Sequence, residues 1–291
     1  MTNPPIRKVM KMKINANAKI NLTLDICGKR DDGYHDVSMV MQEISFCDEL
    51  EVNINDTGKI TLNCNEETLG NPENTLTFRA AKLFFDASQI KGGCDITLTQ
   101  NIPMCAGLGA GSADAAAVLN SLNTLYGNPF TQTKLCELGK TLGADVPFCI
   151  VGGCMLAEGI GEILTPIENN MKKWVALIKP DIDISTVEAY QMMDSKDYPH
   201  PDNKAAIEAL KNDDIEAFSK VALNCFDFVT SKIHPEIEAI KKYFYEKGCS
   251  FSMMSGSGPT VFALFDSFDD AKKAFDEYSG SFSGGGVGKF I

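Results

Sequence analysis

From Lys13 to Ile26 apolar and polar residues alternate almost without a break. Ile14, Ala16, Ala18, Ile20, Leu22, Leu24 and Ile26 fall on one face; Lys13, Asn15, Asn17, Lys19, Asn21, Thr23 and Asp25 fall on the other. A period of two predicts a strand with one buried side, and it sets Lys19 and Asn21 side by side on the polar face, about 7 Å apart. Gly28 to His35, GKRDDGYH, is rich in Asp and Gly and precedes a second run through Val37, Met39 and Met41, so the two runs read as a hairpin. Leu50 to Ile54 and Ile60 to Cys64 extend the sheet. The period then lengthens: Leu76, Ala80, Leu83, Phe84 and Ala87 give a helix one apolar face, with Asn74 at its start as a natural N-cap. Ile96 and Leu98 mark a further strand, leading through Gln100 into PMCAGLGAGSADAAAVLNSLNTL, residues 103–125.

In that stretch Gly107, Gly109 and Gly111 alternate with other residues, giving the backbone access to left-handed conformations and close approach to a ligand. Ser112 stands at the N-cap position of a helix whose stripe is Ala115, Val118, Leu119, Leu122 and Leu125, and Gly127 is placed to stop it. A glycine loop feeding a helix N-terminus offers unpaired N–H donors and the positive end of a macrodipole, roughly half a charge, which suits phosphate. The same text also reads as a tight loop capping a buried helix. A Walker loop is excluded because Ser112 and Ala113, not Lys and Ser or Thr, follow Gly111, and a dinucleotide fingerprint is excluded because position 112 is not Gly and no acidic residue stands near Thr131 to Thr133.

A short helix through Leu135 and Leu138 ends at Gly143, before GADVPF, in which Asp145 is the only ionisable group; standing two positions before Pro147, it reads as a helix cap. Glycines 152, 153, 159 and 161 punctuate short strands, and residues 166–172 look like a linker, so the chain is expected to divide into 1–168 and 169–291. The second part begins with a strand from Trp174 to Ile178 and a helix from Thr186 to Met193. Helices follow at Ala205 to Leu210, Ala217 to Phe226 and Pro235 to Tyr245. Phe251 to Met254 and Val261 to Phe265 are strands flanking SGSGPT, which alone could be a flexible hairpin. A helix through Ala271 to Tyr278 and a strand at Val287 complete a β, α, β, β, α, β order, the ferredoxin-like pattern.

Composition narrows the function. At 291 residues, with 44% hydrophobic and 23% charged, the chain is expected to be an ordinary soluble protein of one large or two medium domains. No run approaches the roughly eighteen apolar residues of a membrane helix, and the N-terminus, with Arg7, Lys8, Lys11 and Lys13 scattered through it, lacks a signal-peptide core, so a cytoplasmic protein is expected. Ten cysteines without a CxxC pair read as reduced core residues rather than disulfides or a zinc site. Twenty-seven basic against 39 acidic residues give −12, which argues against nucleic acid or an anionic membrane as partner. A small anionic ligand remains open to local amides and one or two Lys.

Together these pieces resemble the GHMP small-molecule kinases, whose signature of Pro, a few residues, Gly-Leu-Gly and a Ser/Ala helix start is similar to Pro103 to Ala116. AKINLTLDICGKRDDGYHDV, IPMCAGLGAGSADAAAVL, LGADVPF and MMSGSGPTVF carry the likeness from Ala18 to Phe265, and DGYH sets the chain apart from galactose, homoserine and mevalonate kinases. The resemblance implies an α/β (α+β) fold of two domains, the first ribosomal-protein-S5-like and the second ferredoxin-like, with the site in the cleft. It implies transfer of the ATP γ-phosphoryl to the 2-hydroxyl of a cytidine-diphosphate-linked methylerythritol in non-mevalonate isoprenoid synthesis. It implies that Lys19 and Asp145 are catalytic, Asp145 accepting the hydroxyl proton and Lys19 steadying the charge. Asn21 would orient the substrate, Tyr34 stack on cytosine with His35 bonding its edge, and Thr186 and Tyr190 lie in the closing segment. ATP would be held by Asn74, Pro103, Ala106, Gly107, Leu108, Gly109, Ala110, Gly111, Ser112 and Ala113, with Gly256, Ser257 and Gly258 at the floor, and Mg²⁺ would arrive on the nucleotide. A monomer or homodimer is expected. Ala110 and Ala113 stand where many relatives carry Gly and a second Ser, and Gln100 where some place a Lys, which is expected to shift phosphate binding onto backbone N–H groups. Asp114, in the first helical turn, must point away from a phosphate. Another kinase of the superfamily and a non-catalytic nucleotide-binding module are the alternatives.

Overall fold

The first alternating run folds as a strand, but in two pieces: β1 (Lys11–Asn21) and β2 (Asp25–Lys29), in a computed structural model that describes residues 10–65, 70–193 and 197–291. Arg7 and Lys8 lie outside the described residues. The break has a local cause, since Leu22 N–H donates to Val40 O at 2.7 Å and Leu24 N–H to Leu223 O at 2.9 Å, away from a regular ladder. The hairpin is present, with β2 antiparallel to β3 (His35–Asn55). β3 joins the two runs expected at residues 37–41 and 50–54 into one strand of 21 residues, because Ile44 between them is fully buried and the two halves find different partners.

The chain packs as two units interleaved along its length. The residues through Ala16, Asp48–Asn101 and Gly111–Ile150 form one; Asn17–Cys47, Ile102–Ala110 and Val151–Ile291 form the other. In the first unit, β5 (Gly93–Thr99) pairs antiparallel with residues 49–55 of β3 and parallel with β4 (Ile60–Cys64). Helices α1 (Leu76–Ser88), α2 (Ala110–Leu125), α3 (Gln132–Lys140) and α4 (Val146–Val151) belong with it. Val118, Leu119 and Leu122 of α2 pack with Ala80, Ala81 and Phe84 of α1 and with Val52 and Ile96 of the strands, all essentially sealed from solvent. Truncating such a side chain, as in Leu122→Ala, costs about 2–5 kcal/mol.

Two expected caps are displaced. Thr75, not Asn74, caps α1, its hydroxyl accepting from Phe78 N–H at 3.2 Å, because Pro72–Asn74 closes a 3₁₀ turn just before it. Ser112 lies inside the first turn of α2, which begins at Ala110, directly after the last left-handed glycine, Gly109 (φ +75°). Gly111 is therefore helical, while Gly107 and Gly109 are left-handed.

In the second unit, β6 (Cys154–Gly159) pairs with residues 37–42 of β3, and β7 (Ile163–Pro166) pairs with β6. Then follow β8 (Trp174–Pro180), α5 (Thr186–Met193), α6 (Asn203–Lys211), α7 (Ile215–Val221), α8 (Cys225–Ile233), α9 (Pro235–Glu246), β9 (Phe251–Met254), β10 (Val261–Phe265), α10 (Phe268–Asp276) and β11 (Phe282–Lys289). The last four strands form an antiparallel sheet in the order β11-β8-β10-β9, the ferredoxin-like arrangement expected. The single helix expected from Ala217 to Phe226 is split into α7 and α8, with Asn224 capping the second. Ile20, Val40, Val175, Leu177, Phe218, Phe262 and Leu264 make the core. None of the ten cysteines is in a disulfide; burial pushes the Cys94, Cys154, Cys225 and Cys249 thiols up to about 12, whereas Cys27 and Cys105 are exposed rather than core.

Candidate active site

The polar face of β1 is not a solvated face at its C-terminal end. Lys19 is 5% exposed and Asn21 is fully buried, and the Lys19 ammonium donates to Asn21 Oδ1 at 2.8 Å. A charged group is held out of water only where polar partners replace it, and here the cover is backbone. Lys19 N–H donates to Leu108 O at 3.0 Å, so the glycine loop lies along the strand. In that loop Ala106, Leu108 and Ala110 turn inward and are buried, while Gly107 (φ +74°) and Gly109 between them take conformations that side chains resist.

The second glycine-rich turn braces the first. Ser255 Oγ donates to Gly107 O at 2.9 Å and accepts from Asn21 N–H at 3.3 Å, joining the turn, the loop and the strand through one hydroxyl. Gly107 is required to be glycine, since a Cβ there would overlap the Ser255 carbonyl oxygen. Gly256 and Gly258 are left-handed, and Ser257 Oγ lies 2.9 Å from Thr186 Oγ1 at the start of α5. The structure thus gathers Lys19, Asn21, residues 106–110, Gly256 to Gly258 and Thr186 in the second unit. Pro103 is there too, against Gly284. Ser255 was missed by sequence reasoning although it opens SGSGPT; only its position between Asn21 and Gly107 reveals its part.

The hairpin gives a second group in the same unit. Arg30 bonds Asp32 at 3.1 Å and Asp36 at 3.0 Å, and its hydrogen bond, first of all, holds the Asp32 carboxyl below the usual carboxylate range. Asp32 in turn accepts the Tyr34 N–H at 3.1 Å, so an arginine not singled out in the sequence shapes the DGYH turn. Tyr34 is 61% exposed. His35 stacks on Tyr190 of α5 at 4.8 Å between ring centroids and 22° between planes, and Tyr190 meets Phe226 edge-on at 4.9 Å.

Asn74, Gly111, Ser112, Ala113 and Asp145 belong to the first unit. Asp145 stands immediately before α4, and Gly143 lies so close to α2 that a Cβ on it would sit 3.8 Å from Ser112 Oγ. Asp114 does turn inward, being 2% exposed beside the fully buried Asp48, whose Oδ1 accepts Asn101 N–H at 2.6 Å. Burial, then the charge and hydrogen bond of Asp48, push the Asp114 carboxyl well above the usual range.

Comparison with known proteins gives the family of the chain. The profiles described as "GHMP kinases N terminal domain" and "GHMP kinases C terminal" match residues 75–153 and 206–284. Proteins named 4-diphosphocytidyl-2-C-methyl-D-erythritol kinase are similar over most of their length: one from Clostridium novyi is 41% identical, covering 94% of this chain and 97% of its own, and one from Clostridium beijerinckii is 44% identical, covering 91% and 95%. A crystal structure of 4-(cytidine 5'-diphospho)-2C-methyl-D-erythritol kinase superposes with a TM-score of 0.82 at 30% identity, over 96% of this chain and 99% of that one. Homoserine kinase from Cytophaga hutchinsonii, at 18% identity and a TM-score of 0.74, covering 100% and 97%, shares the fold. The chain belongs to the GHMP kinases and, within them, to the 4-diphosphocytidyl-2-C-methyl-D-erythritol kinase family.

Proposed function

We propose that this chain transfers the γ-phosphoryl group of ATP to the 2-hydroxyl of 4-diphosphocytidyl-2-C-methyl-D-erythritol, in non-mevalonate isoprenoid biosynthesis. The observation that carries the reading is a buried ammonium, Lys19, fixed by Asn21 beneath a glycine loop. In a protein of net charge −12 this is a local, preformed place for phosphate oxygens. Phosphoryl transfer asks mainly for positioning and charge stabilisation. The loop from Pro103 through Ala113, Asn74 and Gly256 to Gly258 hold the nucleotide; Asp145 accepts the hydroxyl proton; Lys19 offsets the developing charge; Asn21 and Thr186 orient the acceptor.

The cytosine site is made by Tyr34, His35 and Tyr190. With His35 and Tyr190 only 4.8 Å apart no ring fits between them, so a base either stacks on the exposed Tyr34 or takes the place of one of the pair. Among the described residues no three His, Cys, Asp or Glu side chains come together to hold a metal. We propose that Mg²⁺, which would neutralise phosphate charge, arrives on the nucleotide. We further propose a cytoplasmic monomer or homodimer, divided as a family member into 1–168 and 169–291; no described helix is long and apolar enough to cross a membrane.

Turnover followed by ADP release, with 4-diphosphocytidyl-2-C-methyl-D-erythritol as acceptor, tests the proposal. Equal or better turnover of homoserine, galactose or mevalonate would move the activity elsewhere in the superfamily. ATP binding without turnover of any acceptor would make the chain a nucleotide-binding module.

A further inference from the structure

We infer that Asn224 is a positioning residue for the nucleotide site, acting through the SGSG turn; the inference rests on the reading of the glycine loop as the phosphate bed. Asn224 is 1% exposed and spends all of its amide. Its Oδ1 accepts Phe226 N–H at 3.0 Å, capping α8, and its Nδ2 donates to two carbonyls, Met254 O and Gly256 O, each at 2.8 Å. Those carbonyls are two residues apart, where the chain leaves β9 and turns left-handed at Gly256 (φ +59°). A planar amide with two diverging N–H bonds fixes both peptide planes at once, which no hydroxyl or aliphatic side chain can do.

The clamp has a firm base and a short reach. On one side Leu24 N–H donates to Leu223 O at 2.9 Å and Cys225 N–H to Leu24 O at 3.0 Å, tying the cap to the segment that follows β1. One turn further along α8, Asp227 Oδ2 accepts Met254 N–H at 3.3 Å. On the other side, Ser255, between the two clamped carbonyls, bonds Gly107 O and Asn21 N–H. Asn224 thus sets the depth at which the turn presses on the loop and on the strand that carries Lys19, without facing the reactants.

Capping and clamping separate by substitution, because Ser is a good N-cap yet cannot bridge two carbonyls. Asn224→Ser is expected to keep the thermal midpoint above that of Asn224→Ala and to lower kcat/KM for ATP at least roughly tenfold, a loss of placement, with the KM for the acceptor alcohol little changed. Paired with Ser255→Ala, the double variant is expected to lose about as much as the more impaired single one, since both act through one turn. Wild-type kcat/KM in Asn224→Ser, or losses that multiply in the double variant, would overturn the inference. Gly107→Ala tells the two readings apart. If it is impaired while Asn224→Ser is not, the positioning role alone fails; if it too leaves the ATP parameters unchanged, the nucleotide reading fails with it.

Discussion

Gly107→Ala is the sharpest perturbation of the loop, because one added methyl group meets backbone rather than a side chain that can swing away. It would overlap Ser255 O, with Ser255 C at 3.0 Å and Gly258 N at 3.3 Å. Two costs follow. A non-glycine residue at φ +74° carries roughly 1–2 kcal/mol of strain, and clearing the overlap breaks the bond from Ser255 Oγ to Gly107 O, about 0.5–1.5 kcal/mol more. The functional loss is larger than the sum suggests, since the loop must shift on the order of 1 Å and such a misplacement costs about 10²-fold in rate. Gly127→Ala is the matched control: it has φ +82° and open space around it, so it suffers the strain alone. Both variants should lose stability in urea, Gly107→Ala the more, whereas in ADP-release kinetics only Gly107→Ala should lose kcat/KM for ATP. If the two differ by less than roughly threefold in kcat/KM, the loop does not grip the nucleotide in the way argued.

Asp145→Asn should lower kcat by at least roughly 10²-fold, the lower end for an acid–base group, with the ATP Kd from calorimetry little altered; near-wild-type turnover would remove it as the base. Tyr190→Ala should chiefly raise KM for the cytidine-linked substrate, by the equivalent of about 1–3 kcal/mol of stacking, and an unchanged KM would take Tyr190 out of the base site. Asp114→Asn should stabilise the protein as pH rises. The folded-state pKa of Asp114 is raised, so its contribution is fully present below the unfolded value of about 3.9 and is lost as pH climbs toward the folded one. The variant lacks that falling limb. Urea midpoints from acid to pH 9 should converge at the acid end and diverge upward, and parallel curves would show that the Asp114 carboxyl is not raised by its burial.

Much of this protein was decided by its sequence alone. Periods of two and of three to four placed most strands and helices, because a side that must be buried leaves its mark residue by residue. The β, α, β, β, α, β order of the second half named its fold, and the motifs around Lys19, DGYH, Gly107 and SGSGPT named the family. Tertiary structure decided what period cannot express. Lys19 and Asn21 look solvated in an alternating strand and are buried, because a loop some ninety residues later along the chain, at Leu108, lies over them. Asn224 falls inside the helix expected from Ala217 to Phe226 and is instead a break, where its amide bonds Met254 and Gly256, distant in sequence. Asp114 looks like a charge beside a phosphate and is buried, its carboxyl pushed above the usual range by burial and then by Asp48, which meets it in the core. In each case the deciding partner is remote in the chain, and hydrogen bonding and desolvation act on distance in space, of which a local pattern holds no record.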